Sequence, residues 1–360
     1  MKVDAISIYP IRIPRRHTFE IARGKSSHVE QVVISIMGEG LEGWGAGSPN
    51  SVTGEGLSDI VRNVQKGFEL LCGKDLDRYG FDRVLSEKMH NHPAASCALS
   101  LAIWDLEGKI AGRSVAELHG LEKNELLSDM SIGICSIEDA MKQAEEAVSR
   151  GFRALKIKVG SESVDEDIKR VNAVRKGFPG VRIWVDGNRG YTPSELRRFL
   201  KGTKDANLEF IEEPCERLMD VQSLRKRFKL MADESAMDSA AIEEICKENL
   251  ADMVNIKLMK CGTISDALLS AEILENHGIS GMIGCMGETT LSIAGGLQIG
   301  FASKSILISD LDSPFMLKDD ICDGLKFDDG YYRYSGRPGL GIQINLKKIL
   351  QYEVEVSPSS

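Results

Sequence analysis

Lys156 and Lys158 stand two residues apart in the run RALKIKVG, residues 153–160. On a β-strand, residues i and i+2 share a face, so both ammonium groups point one way and Leu155, Ile157 and Val159 the other. A pair of like charges turned inward needs counter-charges. Acids stand at the ends of later apolar runs: Asp186 in VDGN, Glu212 in IEEP, Asp233 in ADES, and Asp310 and Asp312 in SDLD. A further lysine, Lys260, closes the run NIKLMKCG. Three carboxylates from successive strands cannot sit together uncompensated. An all-oxygen donor set with no histidine or cysteine beside it favours Mg²⁺, with Mn²⁺ as the substitute. The chemistry on offer is a divalent-cation site faced by ammonium groups. Each acid alone has a plainer reading, since a strand-end carboxylate commonly caps a helix or binds loop amides. Lys257 reads as structural or peripheral. The recurrence of acids at the same end of consecutive strands outweighs the plainer readings.

The elements that must position these groups are visible from residue 128 onward. Eight short apolar runs recur: MSIGI, RALKIKV, VRIWVD, LEFIEEP, KLMADES, MVNIKLM, SGMIG and SILISD. Amphipathic stretches such as SIEDAMKQAEEAVSRG and TISDALLSAEILENHG lie between them and end at glycine, as helices do. Alternation at roughly 20 to 30 residues means βα units and a parallel sheet. Eight units predict a closed α/β barrel of the TIM type, whose strand ends meet at one rim; an open doubly wound sheet is the other arrangement this period allows. Residues 1–124 read as a mixed α+β unit, 125–318 as the barrel, and 319–360 as a segment returning to the first unit. The run GEGLEG spells GxGxxG from Gly38 to Gly43, but WGAGSPN follows it and cannot open a helix, so it reads as a hairpin turn.

Composition adds exclusions. The 360-residue chain carries 45 basic and 54 acidic residues, a net charge of −9 that argues against a nucleic-acid partner. No signal peptide is visible, and no apolar run approaches the ~20 residues of a membrane span. The eight cysteines are scattered without a CxxC pair, a pattern of reduced cytoplasmic thiols and not of a disulfide framework or zinc site. Oligomeric state is not readable; a homo-oligomer is compatible with the chain.

KIK, VDGN, IEEP, ADES and NIKLMKCG, in that order and spacing, resemble the signature of the enolase superfamily, muconate-lactonizing enzyme subgroup. Within it, DLDSP and GCMGE (Gly284 to Glu288) resemble the dipeptide epimerases, of which L-Ala-D/L-Glu epimerase is the familiar member. The resemblance implies an enolase-like barrel with a capping domain completed by the C-terminal segment. It implies one Mg²⁺ per subunit on Asp186, Glu212 and Asp233, with Glu213 a neighbour. Lys158 and Lys260 become acid/base catalysts on opposite faces of the substrate. Lys156 holds the substrate carboxylate, Asp310 and Asp312 receive the α-ammonium of a small dipeptide, and Cys285 and Met286 also touch it. Asn188 and Glu234 orient the ligands from behind. Thr263 departs from the family pattern, which has a second glycine there.

The implied reaction is 1,1-proton transfer at the α-carbon of the C-terminal residue. An enediolate forms, and its charge is stabilised by the cation and Lys156. A free lysine has a pKa of ~10.4, so the base must be pushed down by the cation and the second ammonium group. In the family a loop near residue 20 contacts the substrate side chain. Here it reads as FEIARGKSSH, where Arg23 and Lys25 suit an acidic side chain and L-Ala-L-Glu; Glu288 and Lys318–Asp320 would instead favour a cationic one. The competing activities are cycloisomerisation, o-succinylbenzoate synthesis and N-acylamino acid racemisation, whose substrates give Asp310 and Asp312 no ammonium group to bind. A non-catalytic metal-binding barrel has no reason to keep these buried like charges.

Overall fold

A long antiparallel hairpin opens the fold. The computed structural model describes residues 1–356. β1 (Ala5–Ile21), β2 (Gly24–Gly38) and β3 (Leu41–Gly47) form a three-stranded sheet, followed by α1 (Leu57–Leu71), α2 (Arg78–Lys88), α3 (Pro93–Ala111) and the short α4 (Val115–His119). The GxGxxG run is the turn between β2 and β3, with Glu39 and Gly40 at φ 52° and 76°. A two-residue hairpin turn with both residues at positive φ matches the strand twist. Gly43, Gly45 and Gly47 alternate along β3 toward α3. A Cβ on them would lie 2.0–2.3 Å from the carbonyl oxygens of Ala102, Ala98 and Ala94, so the helix backbone rests directly on the strand.

The barrel follows. β4 (Glu125–Ser128) and β5 (Met130–Ile132) are halves of one stave broken at Asp129. Next come α5 (Ile137–Ser149), β6 (Ala154–Lys158), α6 (Val164–Gly177), β7 (Arg182–Asp186), α7 (Pro193–Gly202), β8 (Ile211–Glu212), β9 (Leu230–Ala232), α8 (Ser239–Lys247) and β10 (Met253–Lys257). α9 (Leu258–Cys261), α10 (Ile264–His277), β11 (Ser280–Gly284), α11 (Thr290–Ala302), β12 (Ile306–Asp310) and α12 (Ser313–Met316) complete it. All staves are parallel. β5 pairs with β6 and β4 with β12, which closes the ring of eight and excludes the open sheet. Two 3₁₀ turns, Leu218–Asp220 and Gln222–Lys226, replace the helix between β8 and β9. Ser136, Ser163, Asp238 and Thr263 cap the helices they precede. Thr263 thus has a use that glycine lacks: its Oγ1 accepts the Asp266 N–H at 3.1 Å.

Side-chain alternation then sorts the barrel interior into layers. Ala154, Trp184, Phe210, Met231, Met282 and Ile308 form an apolar plug. Two residues further along the same strands come Lys156, Asp186, Glu212, Asp233, Gly284 and Asp310. A period of two carries each strand from the plug to the chemistry.

The segment after β12 serves both units. β14 (Lys326–Asp328) and β15 (Tyr331–Arg333) form a hairpin that pairs antiparallel to β4 of the barrel, while β13 (Cys322–Asp323) pairs with β16 (Gln343–Ile344) ahead of α13 (Leu346–Tyr352). The same segment also touches the first unit, where Val115 N–H donates to the Gly339 carbonyl at 3.0 Å and Val354 N–H to the Pro10 carbonyl at 2.9 Å. Residues 357–360 of that segment lie outside the described residues.

Candidate active site

β6 answers the question its lysines raise. Lys156 and Lys158 are 1% and 6% exposed and point into the barrel mouth. Lys156 Nζ donates to the Asp310 carboxylate and lies 3.6 Å from Glu212 and 3.8 Å from Asp186. Lys158 Nζ donates to Asp186 Oδ2 at 2.5 Å. Burial pushes the Lys156 ammonium down, but Asp310, Glu212 and Asp186 outweigh it and hold the group well above the ordinary lysine range.

Asp186 and Glu212 close β7 and β8, paired in register, and Asp233 follows the end of β9 at Ala232. One carboxylate oxygen from each lies within 4.8 Å of the others, and all three side chains are buried. Glu212 Oε2 is buried without a hydrogen-bond partner. Burial, then Asp186, push the Glu212 carboxyl up to about 8. Converged hard oxygens, one of them orphaned, fit a Mg²⁺-type cation. Glu213 turns away: its Oε2 accepts the Asp233 N–H at 2.8 Å and its Oε1 meets Arg189 Nε at 3.2 Å. Behind the cluster, Asn188 donates its N–H to Asp186 Oδ1 at 2.8 Å and its side-chain amide to Glu234 at 3.1 Å. Burial, then Asp233 and Asp186, push Glu234 up to about 7.

The sixth stave departs from the expectation. β10 stops at Lys257, and the four-residue α9 turns Lys260 out of line. Lys260 has no exposed side-chain surface. Its Nζ is spent on the Asp233 carbonyl, Asp233 Oδ1 at 2.8 Å and the Asn255 carbonyl at 3.0 Å. It lines neither chamber of the mouth. Lys257, read from sequence as structural or peripheral, lines both and donates to Asp233 Oδ2 at 2.7 Å. Burial pushes Lys257 down, yet Asp233 and Glu212 hold it above the ordinary lysine range. Asp233 in turn is held below the carboxylate range by Lys257 and Lys260 in spite of its burial. The signal that picks out Lys257 is position: it is the last strand residue, two after Asn255, as Lys158 is two after Lys156.

The eighth stave brings Asp310 and Asp312 to the same mouth. Asp312 Oδ2 accepts the Ser131 N–H at 2.6 Å, and the two form a second acidic group with Asp129. An inner chamber of about 60 Å³ is lined by Lys156, Lys158, Lys257, Cys285, Met286, Asp310 and Asp312. It opens into an outer cavity of about 350 Å³ between barrel and cap, where Arg23, Lys25 and Asn188 join the lining. FEIARGKSSH is no loop; it is the β1–β2 hairpin tip, and Arg23 Nε donates to the Asn188 carbonyl at 3.2 Å. Glu288 and Asp320 face protein: Glu288 accepts the Met286 N–H at 2.7 Å, and Asp320 caps α11 at Thr290. Asp319 pairs with Lys348 at 2.6 Å. None of the eight cysteines is bridged, and among the described residues no helix is long and apolar enough to cross a membrane.

Comparison with known proteins agrees with this architecture. Residues 139–348 match the enolase C-terminal domain-like family, and residues 5–120 match the mandelate racemase / muconate lactonizing enzyme N-terminal domain. The chain is 34% identical over 321 residues to the L-Ala-D/L-Glu epimerase of Thermotoga maritima, covering 87% of this chain and 92% of that one. The crystal structure of N-succinyl Arg/Lys racemase from Bacillus cereus superposes with a TM-score of 0.94 at 30% identity, covering 99% of each chain. The dipeptide epimerase of Enterococcus faecalis complexed with Mg and L-Leu-L-Tyr gives 0.90 at 31% identity, covering 95% of this chain and 99% of that one. Its two domain matches and its barrel-mouth architecture place the chain in the enolase superfamily, in the muconate-lactonizing subgroup, as an isomerase-type member of dipeptide-epimerase-like form.

Proposed function

We propose that the protein is a cytoplasmic Mg²⁺-dependent dipeptide epimerase that inverts the α-carbon of the C-terminal residue, with Lys158 and Lys257 as the two bases. One observation carries this reading. Lys158 ends the second stave and Lys257 the sixth, so they face each other across an eight-stave mouth, with the three acids of staves three to five between them. A substrate carbon lying over the acids has an amine on each face, the arrangement inversion requires. A cation held by Asp186, Glu212 and Asp233 supplies neutralisation of the charge that builds on the substrate carboxylate as the α-proton leaves.

The chain's own groups do the rest. Lys156 donates to the same carboxylate and strengthens as charge develops there. One lysine takes the α-proton while the other delivers one to the opposite face, so the two must hold opposite protonation states. Asp233 holds Lys257 protonated, and neutralising Asp233 releases that hold. Asp310 and Asp312 receive the α-ammonium of the first residue. Cys285 and Met286 line the wall beside it. Asn188 and Glu234 fix Asp186 from behind. At the cavity mouth Arg23 and Lys25 favour an acidic second residue, as in L-Ala-L-Glu.

The test is a library of L,L-dipeptides incubated with protein and Mg²⁺ in D₂O and read by mass spectrometry. Deuterium at the C-terminal α-carbon is expected. A second reading, N-acylamino acid racemase, draws support from the likeness to N-succinyl Arg/Lys racemase. Exchange with N-acyl amino acids and with no dipeptide would put it first.

A further inference from the structure

Arg15 is a cation in the mouth that forms no ion pair among the described residues, and the proposed reaction gives it no task. β1 and β2 pair in register up to Pro14–His28, then break and resume at Phe19–Ser26. The break lifts Arg15 out of the ladder. It pairs instead with Leu317, just past Asp312, and Lys318 N–H clamps the neighbouring Pro14 carbonyl at 3.0 Å. The guanidinium lines both the inner chamber and the outer cavity. Its contacts are soft: Nη1 meets Met316 Sδ at 3.5 Å, and the group lies 5.5 Å from the Phe19 ring centroid. Nε is buried with no hydrogen-bond partner, and among the described residues Arg15 forms no ion pair. Burial pushes its pKa down, and Asp312 is the first group to oppose that. The space is shaped for it as well, since a Cβ on Gly287 would lie 2.7 Å from Nη2. Burying a planar five-donor cation against sulfur and an aromatic face costs solvation that only an anion recovers. It also presents the fork that a carboxylate accepts.

We propose that Arg15 binds a carboxylate carried by the N-terminal part of the substrate, so that the preferred dipeptides begin with an acidic residue. The inference rests on the epimerase reading above, in which Asp310 and Asp312 take the α-ammonium. The first residue's side chain leaves the same carbon as that ammonium, and Arg15 stands beside Asp312. An acidic first residue therefore satisfies the aspartates and the arginine together. A dicarboxylic N-acyl group would offer Arg15 the same carboxylate and leave the aspartates unmatched. Arg23 and Lys25, at the hairpin tip, are left for the second residue.

The experiment compares kcat/KM for α-deuterium exchange of L-Glu-L-Xaa and the neutral isostere L-Gln-L-Xaa, with Xaa the second residue turned over fastest. The Glu-first dipeptide is expected to win by about 10- to 100-fold, the range of one charged hydrogen-bonded contact. Arg15→Met should bring the ratio to about one, mostly through KM, and Arg15→Lys should restore part of it. Gly287→Ala, which crowds the guanidinium without altering it, should lower the ratio independently. The N-succinyl amino acid of the same residue forms a third arm. If it outruns both dipeptides and loses that lead in Arg15→Met, the carboxylate belongs to an acyl group. A wild-type ratio near one, or a ratio unmoved in both variants, overturns the role of Arg15 while leaving the epimerase intact. No exchange with any dipeptide or acylamino acid overturns both.

Discussion

Three buried charged residues, Lys257, Lys260 and Glu212, separate the proposed chemistry from the fold that holds it. Lys257→Ala should lower epimerisation by about 10²- to 10⁴-fold, yet leave one enantiomer exchanging its α-proton through Lys158 in ¹H NMR in D₂O. Lys260→Met should act on the fold instead. It removes a buried donor from Asp233 and the Asn255 carbonyl, at a cost of about 3 kcal/mol in urea unfolding. If Lys260→Met stops exchange in a folded protein and Lys257→Ala does not, the roles return to the sequence expectation. Glu212 links cation to pH. Its folded pKa, about 8, is above the ordinary 4.5, so the metal-free fold binds more protons than the unfolded chain between these values. Stability from this group is full below pH 4.5 and is lost as pH rises through about 8. The Mg²⁺-induced rise in Tm should therefore be larger at pH 8 than at pH 6 in differential scanning calorimetry. An equal rise at both would remove Glu212 from the cation site.

At the scale of elements, the strand-end acids were legible because parallel staves alternate strictly and end together, so a sequence period of two locates them without any fold in hand. Lys260 leaves the strand that NIKLMK suggests for a local reason. NIKLMK reads as one apolar strand, but the chain turns helical at Leu258 with no side-chain cap to announce it. The β1–β2 tip was misread as a loop because only pairing partners far along the chain make FEIARGKSSH a hairpin. Arg15 was invisible for the same reason, since the register break that frees it is a property of two strands. The acids at Glu288 and Asp320 face backbone amides, which no charge count reveals. The glycines of β3 give an element-level prediction. Gly45→Ala sets a methyl 2.0 Å from the Ala98 carbonyl and should cost at least about 1–3 kcal/mol, measured by urea denaturation. Gly40→Ala at the open turn, where a Cβ meets nothing within 4 Å, should cost only its positive-φ strain.

Across the whole molecule, cap and barrel meet around the outer cavity. Arg23 crosses from the hairpin tip to the Asn188 carbonyl, and Asn188 itself sits at φ 42°, holding Asp186. Arg23→Ala should raise KM for dipeptides with an acidic second residue by about 10-fold, the value of one charged contact, with kcat nearly unchanged. A fall in kcat without a change in KM would show that the crossing serves the metal ligands and not the substrate. The ribbon of β1 and β2 has a wider consequence. Arg15 and Arg23 both ride on it, whereas Lys158 and Lys257, the two proposed bases, each end a stave. In the proposed reading, the choice of side chain rests on this ribbon and proton transfer on the staves. Exchanging residues 14–29 alone should then shift side-chain preference while leaving the barrel's acids and lysines in place.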